Sequence, residues 1–194
     1  ATCVCDGAIN TGFYYQVSVT VATGYTVNLS SISFTIQRSG TGIRQYSVRS
    51  NSDAYASNLI ASVGANANLS VVPTNIFQIS DASTTAQTGS AVTLSGANFT
   101  GLTAGTTRTF RFYGWNSEAA GGSFSIDDVV ISGSATALTP TITGAATATA
   151  FTTTYGSPST AQTFSVSGSN LTADLIATAP TGYEVANGST YGPT

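Results

Sequence analysis

Few residues of this chain can do chemistry, and their types narrow the choice. Histidine, lysine and methionine are absent, so five arginines and eight acids carry the side-chain charge. Without histidine no Ser–His–Asp or Cys–His device can be built, nor a histidine metal site. Without lysine there is no Schiff base. Glycoside hydrolysis needs two convergent carboxylates. The candidates are Asp127 or Asp128 with Glu118, which lie on or beside one predicted hairpin. A solvated loop acid plus a structural acid describes them better, and no enzyme is expected.

The remaining candidates concern binding and assembly. Tyr113 and Trp115 share one strand face with Arg111 beside them. Aromatics on an open sheet could stack on sugar rings; they could equally form a second core face or a protein interface, where Trp, Tyr and Arg are enriched. Cys3 and Cys5 flank Val4 near the N-terminus. Two residues apart in a strand, their Cα atoms would lie roughly 6.5 Å apart, near the limit for a disulfide. A strained local disulfide and a pair of free thiols both fit, whereas a zinc site would need further soft ligands that the chain lacks. Five Asn-x-Ser/Thr triplets, at Asn28, Asn68, Asn98, Asn170 and Asn187, are glycan acceptors only in a cell that performs that chemistry.

The elements that must position these residues read as strands. In residues 107–133, Phe110 and Phe112 share one face, and Arg111, Tyr113 and Trp115 the other. Further on, Phe124 and Ile126 share a face, then Val129 and Ile131. The change of phase at Asp127–Asp128 predicts a bulge whose acids hydrogen-bond nearby backbone N–H groups. The stretch predicts a closing hairpin with a glycine-rich loop. Residues 13–21, FYYQVSVTV, alternate strictly, with Phe13, Tyr15, Val17, Val19 and Val21 on one face; Tyr15, Val17 and Val19 are expected in the core with Phe34, Ile36, Phe110, Phe112, Phe124 and Ile126. In residues 25–38 the phase changes at Ser30–Ser31, from Val27 and Leu29 to Ile32, Phe34 and Ile36, which predicts a bulge or a corner. Residues 43–50 form a strand with Tyr46 and Val48 inward. A helical turn is predicted around 57–61, and Pro73 marks an edge or bulge within 69–80. The total is eight or nine strands over 13–132 and no sustained helical period, which is an all-β sandwich of jelly-roll type.

Residues 135–139 read as a linker. Residues 140–194 offer at most five short strands, at 141–143, 151–155, 162–167, 174–178 and 182–186. An immunoglobulin-like sandwich has about seven strands. The second domain therefore reads as incomplete toward its C-terminal end.

Only 7% of residues are charged, far below the usual level of about 25%. Such a surface repels neighbours weakly and suits dense, permanent packing or a coat of glycan. The few scattered arginines exclude a nucleic-acid footprint. No apolar run approaches the roughly 18–20 residues of a membrane span. Ala1 could be a mature N-terminus left by signal cleavage.

Three stretches resemble a jelly-roll module of secreted bacterial surface proteins: YYQVSVTVATGYTVNLSSISFTIQRSGTG, YSVRSNSDAYASNL and TFRFYGWNSEAAGGSFSIDDVVISG. The segment from Pro140, with AQTFSVSGSNLTADLIATAPTGYEV within it, resembles the immunoglobulin-like repeat found beside such modules. The pairing is similar to subunits of extracellular fibrils joined by donor strands. The Ile-Asp-Asp-Val run is also similar to the closing strand of carbohydrate-binding jelly rolls, where an aspartate helps hold calcium; the resemblance implies a structural calcium at Asp127 and Asp128. The repeat normally continues past Gly-Tyr-Glu-Val. The resemblance implies an extracellular fibril subunit that polymerises with copies of itself. Residues 1–12, not needed by the first domain, are the expected donor segment, with Cys3 and Cys5 on one face and Val4 on the other. In that reading residues 13–134 are the jelly roll and 140–194 the acceptor. The alternative is a carbohydrate-binding or adhesion module of a larger secreted protein.

Overall fold

The structure is a computed structural model, and it describes residues 7–144 and 147–188. Its regular elements are strands, apart from one short 3-10 turn. The chain divides into two units, with the boundary between Ala137 and Leu138.

The first unit holds nine strands: β1 (Tyr15–Thr20), β2 (Tyr25–Arg38), β3 (Gln45–Ser50), β4 (Ile60–Val63), β5 (Leu69–Val72), β6 (Ile76–Ile79), β7 (Gln87–Thr93), β8 (Thr107–Trp115) and β9 (Phe124–Ala137). They form a five-stranded sheet ordered β1-β8-β3-β6-β5 and a four-stranded sheet ordered β4-β7-β2-β9. Every pairing is antiparallel. The inward residues of both sheets meet in one core. Phe34 of β2 stands edge-on to Phe112 of β8 at 5.0 Å and to Phe77 of β6 at 5.8 Å, so aromatic contacts span the gap between the sheets. Ile32, Ile36, Val48, Phe110 and Phe124 are buried around them.

Both predicted phase changes are bulges in the β2–β9 ladder. Leu29 pairs with Gly133 and Ser31 with Ser132, so Ser30 is the extra residue. Ser33 pairs with Val130 and Thr35 with Asp127, so Asp128 and Val129 oppose Phe34 alone. Each inserted residue returns the apolar side chains to the core face, which is why the hydrophobic pattern slips there. Gly133 is needed beside the first bulge, because a Cβ on it would strike the Asn28 carbonyl.

Several expectations need correction. β8 and β9 do not pair with each other: β8 lies between β1 and β3, and β9 lies beside β2. Residues 116–123 form an arch from one sheet to the other, not a hairpin turn. Alternation fixes which side chains point inward but not which strand lies alongside. Gly122 permits the arch to press against the 39–42 turn, since a Cβ there would meet the Thr41 carbonyl. Tyr15 is not in the core but 36% exposed on edge strand β1, its ring against Phe124. Val17, Val19 and Ile126 are only partly buried. The turn predicted at 57–61 falls earlier, at Asn51–Asp53, and Ile60–Val63 is strand. The expected linker is shorter, because residues 135–137 continue β9 and pair with β2 as far as Tyr25. No helix among the described residues is long and apolar enough to cross a membrane.

Among its described residues the second unit has one antiparallel pair of strands, β10 (Thr141–Gly144) with β11 (Val166–Ser169). Residues 151–155, 174–178 and 182–186 and most of 162–167, expected as strands, lie outside it, with Val185 a lone bridge residue. None of the unit's described residues is buried. Its large apolar side chains face solvent: Ile142, Tyr155, Phe164, Ile176 and Tyr183 are each more than half exposed.

Candidate functional site

The outer face of the five-stranded sheet gathers Tyr14, Tyr55, Tyr113 and Trp115 with two of the five arginines. Register brings them together. Gln16 of β1 pairs with Arg111 of β8, and Arg111 pairs on its other side with Arg49 of β3. Two residue pairs along, Tyr113 pairs with Ser47, and two further on Trp115 pairs with Gln45. Arg111 is held flat between two rings, its guanidinium carbon 4.0 Å from the centroid of Tyr14 and 3.9 Å from that of Tyr55. Its Nε donates to Gln16 Oε1 at 2.9 Å. Desolvation disfavours its charge, but hydrogen bonding with Tyr113 and the oxygens of Tyr55 and Tyr14 outweigh that and raise its pKa further. Arg49 donates from Nε to Asn58 Oδ1 and from Nη1 to the Tyr55 carbonyl, and its guanidinium lies 5.8 Å from the Tyr113 centroid. These bonds fix the 51–58 loop, and with it Tyr55, over Arg111.

Tyr113 and Trp115 are buried, so neither is an open platform. They lie on the face away from the inter-sheet core. Tyr14 covers Tyr113 at 5.6 Å, and Trp115 Nε1 donates to Gln45 Oε1. What solvent reaches is Tyr14, Arg111, Tyr55 and Arg49, all half-buried. The sequence reading missed Tyr14, Tyr55 and Arg49. Tyr14 was legible as the off-phase neighbour of Tyr15, and Arg49 as the outward partner of Val48. Tyr55 sits in an irregular loop at φ 63°, where periodicity says nothing.

Asp127 and Asp128 are exposed and build their own bulge. Asp127 Oδ1 accepts from the Asp128 N–H at 2.8 Å, and Asp128 Oδ2 accepts from the Thr35 hydroxyl at 3.2 Å. Asp128 sits at φ 50°, a conformation that aspartate tolerates better than branched residues. Calcium takes six to eight oxygens. Among the described residues no third acidic, histidine or cysteine side chain joins the pair, so its side chains alone fall short of that number.

Glu118 is far from that bulge in role. With Asp81, Arg38 and Arg44 it forms a four-charge cluster under the arch. Arg38, its side chain wholly buried, reaches Glu118 at 2.7 Å and Asp81 at 3.4 Å. Arg44 reaches Glu118 at 2.6 Å. Arg38 also donates to the carbonyls of Gly40 and Gly42, tying the turn after β2 to the arch. Hydrogen bonding with Asp81, then with Arg44 and Arg38, holds the Glu118 carboxyl down at about 2. The cluster fastens the arch to the turn after β2.

All five sequon asparagines are exposed, though several are engaged. Asn28 Oδ1 accepts from the Gly101 N–H, Asn68 donates to Gln87, and Asn170 donates to the Thr139 carbonyl. Beside Asn28 lies an open hollow of about 440 Å³, lined by Leu29, Leu94, Gly96, Thr100 and Gly133 and by no charged group. Cys3, Val4 and Cys5 lie outside the described residues. No protein-family model, curated protein or solved structure matches the chain.

Proposed function

We propose that this chain is a structural subunit of an extracellular fibril or surface appendage. Its second unit is completed by a β-strand donated head to tail from a neighbouring copy. The observation that supports this is the state of that unit: among its described residues there is one two-stranded ladder, no buried side chain, and five large apolar side chains more than half exposed. An isolated two-stranded ladder is marginal in water. Among the described residues no third strand flanks this one, and an added strand would supply both ladder partners and cover for the apolar side chains. The first unit supplies the contrast, since its nine strands bury a core of their own. Its strand order supports the jelly-roll reading.

The proposed donor is the segment 1–11, of which residues 7–11 belong to no strand. A head-to-tail contact does not close on itself and so propagates as a filament. With no lysine in the chain, no Lys–Asn cross-link can lock the joint, and its persistence rests on slow unfolding. Negative-stain microscopy should show filaments of the intact chain and dispersed particles after deletion of residues 1–11. Filaments that survive the deletion would assign the strand to another segment. Dispersed particles in both samples would remove the fibril reading.

A further inference from the structure

The paired arginines of the outer face are not explained by assembly through the second unit. Arg49 and Arg111 stand directly opposite on adjacent strands, and like charges so placed repel. Among the described residues no carboxylate pairs with either; the ion pairs of the first unit all involve Arg38 and Arg44. The arginines are nevertheless fixed in place. Arg111 is clamped by two rings and Gln16, and Arg49 is tied to Asn58 and Tyr55. Nearby, the buried Ser47 hydroxyl has no hydrogen-bond partner. With both faces stacked and Nε on Gln16, Arg111 offers a carboxylate only the part of its Nη edge that Tyr113 does not engage, in a geometry set in advance.

We propose that this face binds a carboxylate-bearing saccharide. Arg111 and Arg49 would receive the carboxylate between them and so relieve their repulsion. The amide of Gln16 and the hydroxyls of Tyr14 and Tyr55 would meet the ring hydroxyls. The first unit's exposed large apolar side chains, such as Phe13, Ile60 and Val130, are not among these residues. The face therefore lacks the apolar centre that a protein contact is built around, while charge and amide groups suit a sugar acid.

The test is calorimetric titration of the full chain with trigalacturonate, with its methyl ester as the neutral counterpart and triglutamate as an acid without a sugar. Trigalacturonate should bind, more weakly as salt rises, and the ester and triglutamate should each bind at least about tenfold more weakly. Arg111→Gln should lose at least about tenfold. Arg111→Lys should also lose affinity, because it keeps the charge but not the fork. Near-ultraviolet circular dichroism checks that each variant remains folded, and Arg49→Gln, outside the ring clamp, serves if Arg111→Gln does not fold. No binding of trigalacturonate, equal binding of its ester, or unchanged affinity in Arg111→Lys and Arg49→Gln would overturn the proposal. Triglutamate binding as tightly would overturn the saccharide assignment.

Discussion

Phe112 is where sequence pattern and packing agree most closely. Alternation places it inward, and it is 2% exposed with its ring edge-on to Phe34. Phe112→Ala should cost roughly 3–5 kcal/mol in denaturant unfolding, from lost transfer energy plus the cavity left behind. A loss under about 1 kcal/mol would mean that the site collapses freely or that the face is wrong. Glu118 makes the second prediction at this scale. Its carboxyl titrates lower in the fold than in the unfolded chain, so its ionised form stabilises the fold at neutral pH. That contribution fades as pH falls from about 4.5 toward about 2. Melting temperatures over that range should fall more steeply in the native chain than in Glu118→Gln; parallel slopes would remove Glu118 from the acid response. Pattern could not show this cluster, because Arg38, Arg44, Asp81 and Glu118 are brought together by loops from distant parts of the chain.

At the scale of elements, the bulges were legible and the strand neighbours were not. A bulge leaves its mark in the sequence as a slip of hydrophobic phase, at Ser30 and again at Asp128. Pairing leaves no such mark, so β8 and β9 read as a hairpin although an arch carries the chain between sheets. The tail of β9, Gly133 to Ala137, was hidden because small residues carry no period. The same limit applied to the candidate site: Tyr113 and Trp115 were placed on the right face, but the loop and edge strand that cover them were invisible. The acids at the second bulge already bond to its backbone and to Thr35. Asp127→Asn keeps the accepting oxygen and should shift stability by no more than about 0.5 kcal/mol. Millimolar calcium, compared with a chelator, should leave the melting temperature unchanged; a clear rise that Asp127→Asn abolishes would place an ion at the bulge.

At the scale of the molecule, the two units differ in what they bury. The first encloses a core shared by two sheets. The second leaves five large apolar side chains more than half exposed, and among the described residues no third strand joins its ladder. The sequence carried this contrast as a shortage of strands, and the structure assigns fewer still. Local opening costs little where few apolar contacts would be broken, so the second unit should be the softest part of a dispersed subunit. Its backbone is therefore the most direct reporter of strand donation. Amide hydrogen exchange, followed by mass spectrometry across residues 138–188, should be fast in dispersed subunits. In assembled material it should slow sharply at Thr141–Gly144 and Val166–Ser169, with little change in the first unit's strands. Equal exchange of these segments in both states would contradict the account, because no strand could then have been added to the second unit.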